Sequence, residues 1–233
     1  MIAPDWARPW FAPYQGVAEP VLARLAAGEA VHAALGHPRF EPARPVATGY
    51  EQHVAATGRV PTRDNAHDLF NGLVWLRCPA FKAALNAAHI AAPPAPPGRR
   101  GPVRDALTLL DESGLLLAAP APLEAALRAQ DLHAAFIAGR ALWREARARV
   151  VGHALLEKLL APRTPMCARV LFVADIEAPT LPPVLAPADL PPLPVLGIPG
   201  WWPPNEVEGF YGDARVFRPK RLASPDALGG FVC

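Results

Sequence analysis

The residues with the strongest case for chemistry fall in three short stretches. In the first, TRDNAHDLFNGL, His67 and Asn71 stand four residues apart and so share one face of a helix. Asn65 and Asp68, three apart, fall on a neighbouring stripe, while Leu69, Phe70, Leu73 and Leu76 make the segment apolar around most of its girth. A histidine held in such a helix can act as a general base or a metal ligand, with Asn71 orienting it or donating to a substrate oxygen. The same two side chains can equally be satisfied by the backbone of flanking loops. In the second stretch, GHALLEKL, His153 and Glu157 are again four apart. Such a pair can hold a metal, or the carboxylate can fix the tautomer of a histidine base, or the two can simply stabilise the helix. It is not the HExxH arrangement of a zinc peptidase. In the third, RDALTLLDESG, the adjacent Asp111 and Glu112 could bind a divalent cation if histidines approach, or serve only as turn formers.

Taken together, His67, Asn71 and His153 are the candidate catalytic residues, and Asp68, Asp111, Glu112 and Glu157 the candidate ligands of a divalent metal. The convergence of two helices and one turn would give a metal-assisted hydrolase. Two other readings stay open. A non-catalytic binding or adaptor protein would use the aromatic arms at the ends of the chain to meet a small molecule or protein. A nuclease-like protein is suggested by Asn71 and Asn86 following His67, although the His-to-Asn gap is short for that chemistry and net charge is low.

The bulk composition narrows the field. The chain has 233 residues, enough for one sizeable core, and 52% of them are hydrophobic against 19% charged, as in folded proteins. A net charge of +2 gives no general attraction for nucleic acid or anionic membrane. Cys78, Cys167 and Cys233 are far apart and form no CxxC pair, which argues against a disulfide framework or a thiolate zinc site. No signal-peptide pattern opens the chain and no apolar run approaches a membrane span, so a cytoplasmic location is expected. Walker A, GxGxxG, GxSxG, kinase and EF-hand signatures are absent, and Ser113 and Ser224 are the only serines.

The elements that must position these residues are expected as follows. Residues 1–16, with Trp6, Trp10, Phe11 and Tyr14 among prolines, form an arm laid over the core. Val17–Leu35 is helical with a break at Gly28, and 49–57 is a short helix or strand. The central helix follows Pro61, capped by Thr62 or Asp64, and Pro79 stops or kinks it before a second helix over 80–90. The stretch 92–102 is a proline-rich loop. Residues 105–119 read as a β-hairpin turning on Asp111–Gly114, with a helical alternative because leucine and alanine are mediocre strand formers. Helices are expected from Pro122 to Ala129 and over 132–161, the latter interrupted at Gly139 or Gly152, followed by a buried strand over 168–174. The proline- and aromatic-rich segment 175–223 reads as an ordered wrap in which Trp202, Asn205, Tyr211, Asp213 and Arg218 form an anchor or a lid, ahead of a tail from Ser224. The expected fold is α+β: a mainly helical single domain with a small β-hairpin or sheet, wrapped by irregular arms.

The motif order TGRVPTRDNAHDLFNGLVWLRCPAFKAALN, RGPVRDALTLLDESG, GHALLEKLLAP, GIPGW and FYGDARVFRP resembles a bacterial family known only as a domain of unknown function, over residues 50–219. The resemblance implies a single-domain bacterial protein and brings no activity or catalytic residues with it. Cys78 stands where the family pattern suggests an aromatic residue, a departure that argues against thiol chemistry.

Overall fold

The computed structural model describes residues 3–45, 49–96 and 101–217. The fold is α+β and mainly helical. Helix α1 (Gln15–Ala26) and the short α2 (Val31–Ala34) are separated at Gly28, whose φ of +91° lies where side chains are strained. Strand β1 (Phe40–Pro42) and, after α3 (Tyr50–Thr57), strand β2 (Val60–Thr62) pair in parallel, Phe40 opposite Val60. This small ladder leads into the central helix α4 (Ala66–Arg77), then α5 (Pro79–Ala91) and α6 (Pro102–Ser113).

The expected hairpin over 105–119 is not formed. Residues 102–113 are helical because Ala106, Leu107 and Leu110 recur at helical spacing and bury one face, a period that a strand would split between its two faces. The carboxylates Asp111 and Glu112 therefore sit in the last turn of α6 and not in a hairpin turn. The chain passes directly into strand β3 (Gly114–Ala118), in which Leu115, Leu116 and Leu117 are fully buried. A side chain at Gly114 would meet the Leu110 carbonyl oxygen at 2.2 Å, so only glycine allows this helix-to-strand passage.

Helix α7 (Ala121–Ala129) follows as expected, but the long helix over 132–161 does not. Its place is taken by a π-helical turn at Ala134–Ala138, a 3₁₀ turn at Arg140–Arg144, strand β4 (Arg147–Val150) and helix α8 (His153–Lys158). Arginine and alanine favour helix locally, yet pairing with the buried β3 prevails over that weak preference. β4 runs antiparallel to β3, with Leu115 opposite Val150. β5 (Cys167–Phe172) runs parallel to β3 on its other side, and β6 (Pro192–Pro194) closes the sheet antiparallel to β5, in the order β4-β3-β5-β6.

One cluster of buried side chains runs from Trp10 to Tyr211. The N-terminal segment is folded into turns and a 3₁₀ turn at Ala12–Tyr14, with Trp10, Phe11 and Tyr14 buried. Tyr14 donates to the Val150 carbonyl at 2.6 Å, fastening this segment to β4. The C-terminal wrap is also anchored. Asn205 donates to the carbonyls of Leu196 and Ile198, and Tyr211 donates to that of Gly197 while accepting from Arg140. Arg218 and the tail from Ser224 lie outside the described residues.

A second clamp holds the stretch after β5. The buried Arg149 of β4 pairs with Glu177, which also accepts from Arg77 at 2.9 Å, and Arg149 donates to the Ile176 carbonyl at 2.8 Å. The hydrogen bonds from the two guanidiniums hold the Glu177 carboxyl down at about 2, against an ordinary 4.5. A carboxyl lowered in the folded state contributes stability that is complete above its unfolded value and is lost as pH falls through its folded one. Stability of the wild type is therefore expected to fall between about pH 4.5 and 2 more steeply than that of Glu177→Gln, as read by urea denaturation at stepped pH.

Gly152 joins β4 to α8 with its backbone against the end of α6. An added Cβ would lie 2.4 Å from the Gly114 nitrogen and the Ser113 Cα. Gly152→Ala is expected to destabilise the fold by about 1–3 kcal/mol, the range for overpacking a tight contact, measured as a shift in the urea midpoint.

Candidate metal centre

Four helices deliver the polar groups of the site. α4 is capped by Asn65, whose side chain accepts from the Asp68 amide at 2.8 Å. Thr62 and Asp64, the expected caps, act elsewhere: Thr62 donates to the Val60 carbonyl, and Asp64 accepts from the Val31 amide at the start of α2. Capping at Asn65 starts the helix at Ala66 and sets His67 in its first turn. α8 packs against both α4 and α6. His153, its first residue, is thereby brought to His67 and to the end of α6.

The two rings meet edge to face, with their Nε2 atoms 2.9 Å apart. The Glu112 carboxylate lies 3.7 Å from His153 Nε2, and one ligand atom each from His67, Glu112 and His153 can be chosen so that all three lie within 4.8 Å of one another. The far nitrogens face carboxylates: His67 Nδ1 is 3.3 Å from Glu157, and His153 Nδ1 is 3.9 Å from Asp111. Glu157, expected beside His153 on its own helix, thus reaches across to α4. Asp111 is in turn paired with Lys82 of α5, which is only 3% exposed and lies 5.6 Å from the centre of the Trp75 ring.

His153 is 3% exposed, whereas His67, Glu112 and Glu157 are partly open to solvent, so the cluster joins the core to the surface. Burial lowers the His153 pKa to about 4, with Asp111 opposing the shift and Lys82 and His67 adding to it. His153 is accordingly neutral near pH 7, the form that ligates a metal. Burial pushes the Asp111 carboxyl up, but Lys82 and His153 outweigh it and the net shift is down. Glu112 is raised, chiefly by burial and further by Asp111.

The remaining candidates lie apart from this cluster. Asp68 accepts from the Arg63 amide, Nε and guanidinium NH2 at 2.7–3.0 Å, which occupies both of its oxygens. Asn71 donates to the Tyr50 hydroxyl at 3.1 Å, and Asn86 to the Glu51 carbonyl. Neither asparagine hydrogen-bonds to the histidines, which removes the geometric support for a nuclease-like arrangement. The one member of the polar assembly without a sequence-based role is Lys82. Its signal is its oddity, a lysine in the apolar run AFKAAL of a chain whose cations are otherwise nearly all arginine. Two clefts of about 450 and 440 Å³ lie elsewhere, the first beside the π-helical turn and the second beside β1 and α3. No helix among the described residues is long and apolar enough to cross a membrane.

Removing one partner of a buried ion pair leaves the other charge uncompensated. Lys82→Met is expected to cost about 3–5 kcal/mol by stranding Asp111, while Lys82→Met combined with Asp111→Leu recovers most of that loss. Urea denaturation of the single and double variants measures the difference.

No curated protein and no solved structure matches the chain. The family described as Protein of unknown function (DUF3025) matches residues 40–184 and 174–221, a span that contains α4, α6, α8 and every residue of the histidine–carboxylate cluster. The chain belongs to this family.

Proposed function

We propose that the protein is a metal-assisted hydrolase whose divalent ion is held by His67 Nε2, His153 Nε2 and the Glu112 carboxylate. The observation that carries this reading is that His67, Glu112 and His153 each offer a ligand atom, the three lying within 4.8 Å of one another. For bonds of about 2.0 Å at tetrahedral angles, ligand atoms stand roughly 3.3 Å apart. Two of the three separations, 2.9 and 3.7 Å, lie on either side of that value, and the third is no more than 4.8 Å. Charge supports the same guest. Asp111, Glu112 and Glu157 bring three carboxylates to the cluster, against the ammonium of Lys82 paired with Asp111 and that of Lys158 acting on Glu112.

Three protein ligands leave a fourth position for water or substrate, the pattern of catalytic and not of structural zinc sites. An ion held there lowers the pKa of a bound water to about 7 and polarises a carbonyl or phosphoryl oxygen. His153 supplies the fixed, buried side of the site. His67 and Glu112 line its open side, where substrate enters. The aromatic arms favour this reading over an adaptor, because Trp10, Phe11 and Tyr14 are committed to the core. A cytoplasmic location and an ester, amide or phosphoester substrate belong to the same reading.

Purified protein, stripped by chelator and titrated with Zn²⁺ or Mn²⁺ in a calorimeter, is expected to bind one equivalent. His67→Ala and His153→Ala should each weaken binding by tenfold or more. Hydrolysis of chromogenic esters, amides and phosphoesters should appear with the metal and vanish on chelation. A wild type that takes up no divalent ion sinks the reading.

A further inference from the structure

We infer that Asp111 and Glu157 are positioning residues that fix both metal-binding histidines as Nδ1–H tautomers, with Lys82 holding Asp111 in place. The inference deepens the metal reading and rests on it for its purpose, although the tautomers themselves can be read without any metal.

Each imidazole presents one nitrogen to the other ring and its second nitrogen to a carboxylate: His67 Nδ1 to Glu157 at 3.3 Å, His153 Nδ1 to Asp111 at 3.9 Å. A carboxylate accepts and cannot donate, so a nitrogen facing one favours carrying the proton. His153 Nδ1 is buried and has no hydrogen-bond partner in the structure. The Asp111 carboxylate faces it at 3.9 Å. Both Nε2 lone pairs then point at one space, 2.9 Å apart. Without a guest, one ring carrying its proton on Nε2 donates to the other across this distance; with both protons on Nδ1 the two lone pairs are free to share an electron-poor guest. Ligating histidines commonly donate their other ring nitrogen to a carboxylate in this way.

Asp111 is suited to the role because it cannot swing away. Lys82, buried on the neighbouring helix, binds its Oδ1 and leaves Oδ2 facing His153. Lys82 is itself confined by the Trp75 ring. The same pairing removes Asp111 from the ligand set, since one of its oxygens is committed to an ammonium. Glu157 is the more exposed counterpart, supplied by the same helix that supplies His153.

The test uses the full chain and two charge-removing variants of nearly unchanged shape, Asp111→Asn and Glu157→Gln. Long-range ¹H–¹⁵N correlation of the metal-free protein reads the His153 tautomer. Titration with Co²⁺ reads affinity, and the visible spectrum of the bound ion reads ligand geometry. The wild type is expected to carry the His153 proton on Nδ1, and Asp111→Asn to populate the Nε2–H form. Each variant should bind Co²⁺ about 10–100-fold more weakly, the usual effect of losing an outer partner, with an altered visible spectrum. Glu157 is half-exposed, so Glu157→Gln keeps the test available even if Asp111→Asn folds poorly. A wild type with His153 protonated on Nε2 overturns the inference, as do variants that bind Co²⁺ with wild-type affinity and spectrum. A wild type that shows the Nδ1–H tautomer yet takes up no Co²⁺ overturns the metal reading alone.

Discussion

The approach of two backbone segments at Gly152 and Gly114 organises this molecule. The amides of Val151 and Gly152 both donate to the Gly114 carbonyl at 2.9 Å, which locks the end of β4 to the junction of α6 and β3. No side chain fits on either glycine at this crossing. Its consequence is positional. The residue after Gly152 is His153, and the residues just before Gly114 include Asp111 and Glu112. A histidine and two carboxylates remote in sequence are brought together by a backbone contact that is part of the sheet itself. The site is then built on helix ends joined to the sheet, which hold side chains more precisely than loops do.

The polar cluster sits against an apolar core, and its electrostatics follow from that boundary. Asp111, partly buried, stays ionised because Lys82 is buried beside it, while His153, more fully buried, is pushed toward its neutral form. A buried lysine and carboxylate are costly to desolvate, so the pair is weak support for stability in its own right. Its placement beside His153 gives it a more specific part, as an anchor for a ligand that must not rotate. The outer face of the cluster is different. His67, Glu112 and Glu157 remain partly open, which leaves an approach for solvent and small molecules.

The arms at either end of the chain act in this scheme as retainers. Tyr14 tied to the Val150 carbonyl, and Glu177 bridging Arg149 and Arg77, both grip β4 or its neighbours, the strand that delivers Gly152 and His153. Proline-rich segments cannot supply ladder or helix hydrogen bonds along their length. They are held instead by side chains such as Asn205 and Tyr211, each bonded to carbonyls of the wrap. Trp10, Phe11, Tyr14 and Tyr211 are spent on this packing, while Trp6, Trp201 and Trp202 pack on the core partly exposed.

The sequence by itself determined the helices with clear periodicity and clear stops. α1 with its break at Gly28, α4 ending before Pro79, and α5 and α7 follow from local signals, as does the buried run of β5. It also marked His67, Glu112 and His153 among the candidate residues, because their types and their place in apolar helices are local facts. The cap at Asn65 was missed, since Thr62, Asp64 and Asn65 offer similar oxygens and only the chain's path chooses among them. Tertiary structure decided what depends on partners distant in the chain. Residues 147–150 became strand because β3, the buried centre of the sheet, takes β4 as its neighbour, whereas helix 102–113 follows a period already present in Ala106, Leu107 and Leu110 that the turn-forming DESG masked. Lys82 gained meaning only from Asp111, 29 residues away, and the two histidines only from their contact across 86 residues. Helical spacing can place Glu157 on the same face as His153, but the packing of α8 on α4 turns it to His67 instead. Local sequence sets which groups are available; the close backbone crossing at Gly152 sets which of them meet.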